Sequence, residues 1–213
     1  MTKRSRSSSR WLERQRRDPF VRQAQGDGWR SRAAYKLAQI DKRDSIIRAG
    51  MTIIDLGCAP GGWAQYALKK MKGNGRVLGL DLLPTEPLAG LQVYQGDFQE
   101  PQAIDWIANE LGSTRYADLV MSDMAPNISG NRLRDQAQSL ELINQAVAFC
   151  EQWLVRDGDL LFKAFQGEDL PDLVDGLKGT FRQVLWRKPE ASRQDSREVF
   201  VLARGHRMID NHE

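Results

Sequence analysis

Gly57, Pro60, Gly61 and Gly62 crowd into the stretch IIDLGCAPGGWAQY, Ile53 to Tyr66, and no strand or helix can hold all four. A short apolar run, Met51–Ile54, precedes them and ends in Asp55. The chain must therefore turn tightly here, between a buried parallel strand and a helix starting near Trp63. Such a turn at the carboxyl end of a strand is where open α/β sheets bind ligands, and glycine removes the Cβ that would hold a ligand off. A dinucleotide fingerprint would need glycine at Ala59, and the neighbouring Pro60 has no N–H to offer a pyrophosphate. Asp55, Gly57 and Gly61 instead fit the acid-x-Gly-x-x-x-Gly spacing of a turn that holds S-adenosylmethionine. A glycine-rich turn with no ligand is the plainer alternative.

Around this turn the pattern alternates. Ser31–Ile47 predicts a helix with an Ala33–Leu37–Ile40 stripe, and Lys36 lies on the same side of it. Strands are predicted at 53–55, 76–82, 91–97, 117–123, 159–164, 181–188 and 197–203. Helices are expected at 63–71, 103–111, 140–154 and 170–177, with Gly158 as the stop of the long one. Alternation of this kind predicts a mostly parallel seven-stranded sheet covered by helices on both faces. If the segment 181–188 runs with the sheet and a hairpin follows, the last strand is antiparallel. At 213 residues and 41% hydrophobic the chain suits one α/β core.

Acidic residues end several of these strands. Asp81 follows the turn at the distance where a carboxylate can accept from ribose hydroxyls, and Asp97 ends the next strand, placed to meet an adenine amino group. Alone, either is more often a turn or cap residue; in register behind the glycine turn, the ligand reading gains. Asp123 ends the fourth strand. Lys163 sits within the apolar LLFKAF, where a lysine either reaches out along its stem or has a reason to stay. Adjacent strands lie about 4.8 Å apart, so Asp123 and Lys163 can meet, and an antiparallel last strand would bring Glu198 beside Lys163.

The charge is lopsided. Residues 1–50 carry 14 Lys/Arg against 5 Asp/Glu, and the rest 17 against 23. A basic end on an acidic domain is the footprint of a polyanion binder. For the first ten residues a solvated tail is the plainer reading, but from Arg14 to Arg48 the charges interleave with Phe20, Trp29 and Tyr35, a mixture that stacks bases and neutralises phosphates. The basic start lacks the apolar core of a secretory signal, and no apolar run has the length of a membrane span. Cys58 and Cys150 lie far apart and suit a reducing cytoplasm; no metal site is expected, His206 and His212 having no ligand partners nearby.

The motifs together closely resemble the RrmJ/FtsJ (RlmE-type) ribose 2′-O-methyltransferases of bacterial large-subunit ribosomal RNA. The resemblance runs from SSSRWLERQRRDPFVRQAQGDGWRSRAAYKL through DLGCAPGGW, the GDF at Gly96–Phe98, SDMAPN and LFKAF to SREVFVLAR. It implies a Rossmann-like S-adenosylmethionine-dependent methyltransferase domain over 31–213 behind a basic RNA-binding arm over 1–30. The family's Lys-Asp-Lys-Glu tetrad falls on Lys36, Asp123, Lys163 and Glu198. The cofactor set it implies is Asp55, Gly57, Gly61, Trp63, Asp81, Asp97 and Asp123, with no metal. The expected substrate is the A-loop uridine of large-subunit ribosomal RNA in the assembled subunit, methylated by a cytoplasmic monomer. Transfer-RNA 2′-O-methylation, a non-catalytic RNA-binding assembly factor and a small-molecule methyltransferase are the alternatives; the last leaves the basic end without a role.

Overall fold

The computed structural model describes residues 18–126, 129–193 and 196–207. Its elements run α1 (Pro19–Gly26), α2 (Ala33–Asp44), β1 (Thr52–Leu56), α3 (Gly62–Met71), β2 (Arg76–Asp81), β3 (Leu91–Gln95), α4 (Pro101–Leu111), β4 (Ala117–Ser122), α5 (Arg132–Trp153), β5 (Leu154–Phe165), α6 (Leu170–Thr180), β6 (Phe181–Arg187) and β7 (Glu198–His206). The seven strands form one sheet in the order β3-β2-β1-β4-β5-β7-β6. All neighbouring pairs up to β5 are parallel, and β7 is antiparallel to both β5 and β6. This is a Rossmann-like sheet. Its winding reverses between β1 and β4, so the glycine turn after β1 stands at the switch point, where a crevice opens between diverging connections.

Two hydrophobic layers sandwich the sheet. Ile54, Leu56, Val120, Leu160, Phe162, Val199 and Val201 pack against α4, α5 and α6. Ile53, Leu119, Met121, Leu161, Phe200 and Leu202 pack against α2 and α3. The strict alternation follows from the two-residue period of a strand buried on both faces.

Among the element limits that differ from the sequence expectation, three have a local reason. The first predicted helix ends at Asp44 rather than Ile47, because Ser45 takes a left-handed conformation, φ 52°, and turns Ile46 and Ile47 into the core. The fully buried Asp41 fixes that exit, accepting from the Ile47 N–H and the Tyr66 hydroxyl, each at 2.9 Å. Of the expected stripe Leu37 and Ile40 are fully buried and Ala33 packs half-buried against the same core, while Ala34 is buried beside it. The long helix begins at Arg132, where Asn131 caps it by accepting from the Arg134 N–H at 3.2 Å. Its first turns are polar and show no apolar period. Finally, Gly158 is not the helix stop: the chain passes directly from Trp153 into β5. The β4–β5 register then jumps from Ala117↔Leu154 to Leu119↔Asp159, around an Asp157 with φ 67°.

Of the basic arm read over 1–30, residues 1–17 lie outside the described residues. Residues 18–30 are folded against the domain. Asp18 caps α1 by accepting from the Phe20 N–H at 3.0 Å, Ala24 is buried, and the Trp29 ring lies 6.0 Å from Tyr66.

Candidate active site

Strand periodicity builds the site. Asp55 shares parity with Ile53, Asp123 with Leu119 and Met121, Lys163 with Leu161, and Glu198 with Phe200, so all four project from the α2/α3 face. Parallel pairing of Leu56 with Ser122 and of Ser122 with Phe162 brings the ends of β1, β4 and β5 level. The antiparallel β7 then delivers Glu198 opposite Phe165 and Phe200 opposite Lys163, at the same edge. Lys36 descends from α2, its ammonium 5.6 Å from the Phe200 ring centroid.

These residues form two ion pairs. Lys36 Nζ lies 2.7 and 2.8 Å from the two oxygens of Glu198, both side chains about one-tenth exposed. Ser192 Oγ donates to the same carboxylate at 2.9 Å. Lys163 Nζ lies 3.0 Å from Asp123 Oδ1, with exposures of 8% and 20%. Yet the hydrogen bond from Lys163 goes to the Asp123 backbone carbonyl, and Oδ1 is buried without a hydrogen-bond partner. The Lys163–Asp123 contact is thus Coulombic and angularly poor, which leaves that oxygen free to accept elsewhere. Burial pushes the Glu198 carboxyl up, but Lys36, then Lys163 and Ser192, more than offset this and hold it below the usual range. Glu198 thus remains an anion that anchors Lys36 beside Lys163.

Asp55 behaves differently. It is 1% exposed, and its Oδ2 has no partner. Burial, with the negative charges of Asp123 and Asp81, lifts its carboxyl well above the usual range against one favourable Ala64 backbone N–H. An acid held more tightly protonated in the fold than in the unfolded chain stabilises the fold fully below about pH 4, and that contribution is lost as pH rises towards the folded-state value. Asp55→Asn removes this loss. The melting temperature of the variant relative to wild type is therefore expected to climb as pH is raised from about 4, measured without ligand in a pH series. A difference that stays flat would mean that Asp55 is already ionised in the fold. Next to it, burial first and then Asp55 push the Cys58 thiol up to about 12, so this side chain is packing rather than nucleophile.

Two cavities meet at the glycine turn. The larger, about 340 Å³, is lined by Asp81, Leu82, Asp97, Phe98, Met124 and Leu142 among others. The smaller, about 190 Å³, is lined by Ser31, Arg32, Ala33, Asp55, Pro60 and Trp63 among others. Gly57, Ala59 and Asp123 line both. Asp81 already accepts from the Ala59 N–H at 2.9 Å and the Leu83 N–H at 2.8 Å, one bond on each oxygen. A carboxylate has about four acceptor positions, so two remain for a ligand diol. Asp97 is exposed and accepts from the Gln99 N–H at 3.0 Å. The Trp63 indole is 2% exposed, donates to the Ala33 carbonyl at 2.9 Å and packs on Phe200, so what it offers a ligand is its backbone.

The glycines serve a purpose the sequence does not announce. Gly57 and Gly61 have φ of 75° and 99°, and a Cβ on Gly57 would stand 2.5 Å from Met124 Cγ, one on Gly61 2.8 Å from Arg30 Nη1. They let other chain segments close over the turn. Ser31, Arg32, Met124 and Ser192 also belong to the site although none was a sequence candidate; the available signals are that Ser31 and Arg32 immediately precede the helix bearing Lys36 and that Met124 follows Asp123 in SDMAPN. Arg32 pairs with Asp18, donates to the Ala191 carbonyl and lies 5.6 Å from the Phe20 centroid, while Arg193 meets Asp18 at 2.9 Å. Among the described residues, no group of three His, Cys, Asp or Glu is placed to hold a metal, and no helix is long and apolar enough to cross a membrane.

The fold and this cluster define a class, and comparison with known proteins agrees: a model of the FtsJ-like methyltransferases matches residues 29–206, and the chain belongs to that family. More particularly, the Ribosomal RNA large subunit methyltransferase E of Thiobacillus denitrificans is 50% identical over 202 residues, covering 95% of this chain and 91% of its own length. The protein of the same name from Hydrogenovibrio crunogenus is 48% identical over 202 residues, covering 95% and 98%. A crystal structure of a Plasmodium falciparum protein described as a ribosomal RNA methyltransferase superposes with a TM-score of 0.76 at 28% identity, covering 84% of this chain and 98% of that one.

Proposed function

We propose that this protein transfers a methyl group from S-adenosylmethionine to a ribose 2′-hydroxyl of large-subunit ribosomal RNA, the A-loop uridine of the assembled subunit. The observation that carries the reading is the pair of interlocked lysine–carboxylate contacts, Lys36–Glu198 and Lys163–Asp123, beside a glycine turn at the sheet's switch point. Binding alone needs no lysine buried at a strand end. The names of the relatives supply the substrate class.

The residues suit such a donor. The joined cavities accept an elongated molecule with a flat nucleoside and a short polar tail; Asp123 lines both and Asp55 the smaller, and each has a buried oxygen without a hydrogen-bond partner. Asp81 and Asp97 would hold ribose and base; Asp55 and the backbone from Gly61 to Trp63 would hold the tail. When bound, S-adenosylmethionine supplies an electrophilic methyl carbon on a positively charged sulfur.

The chain's own residues then handle the acceptor. A 2′-hydroxyl is a weak acid, and its proton must leave as the oxygen bonds carbon. Lys163 would take it if its amine is neutral, and would stabilise the developing alkoxide if it is charged; in either role the Asp123 backbone carbonyl and side chain orient its nitrogen. Lys36, locked by both oxygens of Glu198, adds a fixed positive charge where the oxygen becomes anionic. Alignment of the acceptor oxygen with the methyl carbon supplies much of the remaining acceleration.

The test is calorimetric titration with S-adenosylmethionine, followed by transfer of labelled methyl to unmethylated large subunits, free large-subunit RNA and transfer RNA. Cofactor binding without transfer to any of them would leave an RNA-binding factor; transfer to transfer RNA alone would move the substrate. Asp81→Ala is expected to weaken donor binding by about 2–4 kcal/mol, the range for a pair of charge-assisted hydrogen bonds. An unchanged calorimetric affinity would leave Asp81 with only its Ala59 and Leu83 contacts.

A further inference from the structure

The Arg30 guanidinium, which charge alone would assign to phosphate binding, is engaged by backbone carbonyls. Its Nη1 donates to the Glu86 carbonyl and its Nη2 to the Pro87 carbonyl, both at 2.7 Å, with a longer contact to the Pro60 carbonyl at 3.5 Å. Its own backbone N–H donates to Gln65 Oε1 at 2.8 Å, and Gln65 Nε2 returns to the Gly28 carbonyl at 2.9 Å. The side chain also rests on Gly61, where even a methyl group would collide with it.

These contacts tie together three segments that border the donor cavities. Pro60 and Gly61 belong to the glycine turn. Glu86 and Pro87 belong to the connection between β2 and β3, which starts with Asp81 and Leu82, both lining the larger cavity. Leu82 and Leu83 are 69% and 64% exposed, and the connection's other ties include Gln95 Nε2 to the Leu82 carbonyl at 3.4 Å, Thr85 Oγ1 against Cys58 Sγ at 3.5 Å, Leu88 against the core with a bridge to Leu91, and the Val77 N–H to the Gly90 carbonyl at 2.9 Å. Ser31, the next residue after Arg30, lines the smaller cavity.

We propose that Arg30 is a positioning residue for the donor, a strap that joins the segment after α1 to the glycine turn and fixes the β2–β3 connection in its ligand-holding shape. This rests on the reading of the cavities as the S-adenosylmethionine site. The strap works through shape rather than charge: all its acceptors are backbone carbonyls, and the planar fork of the guanidinium spans two of them at once. A lysine keeps the charge but, having a single nitrogen, cannot hold both carbonyls in that geometry.

The experiment compares wild type with Arg30→Lys and Arg30→Ala by titration with S-adenosylmethionine and, without a transferable methyl, S-adenosylhomocysteine, and by steady-state methyl transfer. Both variants are expected to bind either ligand about tenfold more weakly. The Michaelis constant for the donor should rise in step, while kcat at saturating donor stays within about twofold. The salt dependence of RNA binding should match wild type, because no phosphate contact is removed. Gln65→Ala, which cuts the strap's other tie and leaves the fork, should shift donor affinity in the same direction, and it serves if Arg30→Ala does not fold. Wild-type donor affinity in Arg30→Lys, or a flattened salt slope with unchanged donor affinity, overturns the proposal in favour of phosphate binding. A lowered melting temperature with an unchanged donor Michaelis constant overturns it in favour of a structural role alone. If wild type itself binds neither ligand, the donor reading fails, an outcome separate from these.

Discussion

Lys163→Ala should lower methyl transfer by about 10²–10⁴, the range for a lost proton acceptor or charge-stabilising group, while calorimetric affinity for S-adenosylmethionine stays within a few-fold of wild type. Lys163 lies on β5 against Asp123 and lines neither donor cavity, so its removal spares the ligand contacts. Lys163→Arg separates two roles. Arginine keeps the charge but cannot lose its proton, so an arginine variant as inactive as alanine identifies proton acceptance as the task. Substantial activity in Lys163→Arg would instead make this side chain an electrostatic partner of the nascent alkoxide. Near-normal turnover in Lys163→Ala would remove the residue from the mechanism altogether.

The second large effect concerns the basic arm, and the structure determines where to cut. Residues 1–17 hold seven Lys/Arg and one Glu. Deleting them should leave folding and donor affinity intact while reducing RNA affinity at moderate salt by about 10³-fold, with the log–log salt slope flatter by about 0.7–0.9 for each phosphate no longer neutralised. Deletion through residue 28 should behave differently. It also removes Asp18, which bridges Arg32 and Arg193, the buried Ala24, and the Gly28 carbonyl held by Gln65. That variant is expected to lose thermal stability and donor affinity as well. The measurement is RNA binding, melting and donor titration on both truncations side by side. Identical salt slopes for full-length protein and the 17-residue deletion would make the first residues a passive tail.

What the sequence could reveal divides along physical lines. The sheet and three of the tetrad residues depend on local alternation, and the period of two that buries Ile53, Met121, Leu161 and Phe200 also carries Asp55, Asp123, Lys163 and Glu198 to the same face, which Lys36 meets from α2. The antiparallel last strand was legible from its short connection to the segment before it. Contacts set by tertiary packing were not legible. Nothing in WRSRAAYKL tells that Arg30 serves backbone carbonyls, or that Arg32 answers an aspartate fourteen positions upstream. The basic loop before β7 looks like an RNA surface, yet Lys188 donates to the Ser196 and Glu198 carbonyls and Arg197 to that of Gln166. Charge counts cannot distinguish a cation that meets solvent from one that ties down a loop. The polar start of α5 was missed for a related reason: a helix that buries nothing in its first turns has no period to display.

The position of β7 between β5 and β6 carries a consequence for biosynthesis. Until Glu198–His206 emerges from the ribosome, the apolar β5 has no neighbour on that side, and roughly 30 residues, or about two to six seconds of translation, separate the two strands. An unpaired edge of that character invites association with other chains, so the interval is the vulnerable stage of folding. The same arrangement withholds Glu198, and with it the anchor of Lys36, until the sheet closes. A chain interrupted before β7 therefore lacks one of the two lysine–carboxylate pairs altogether.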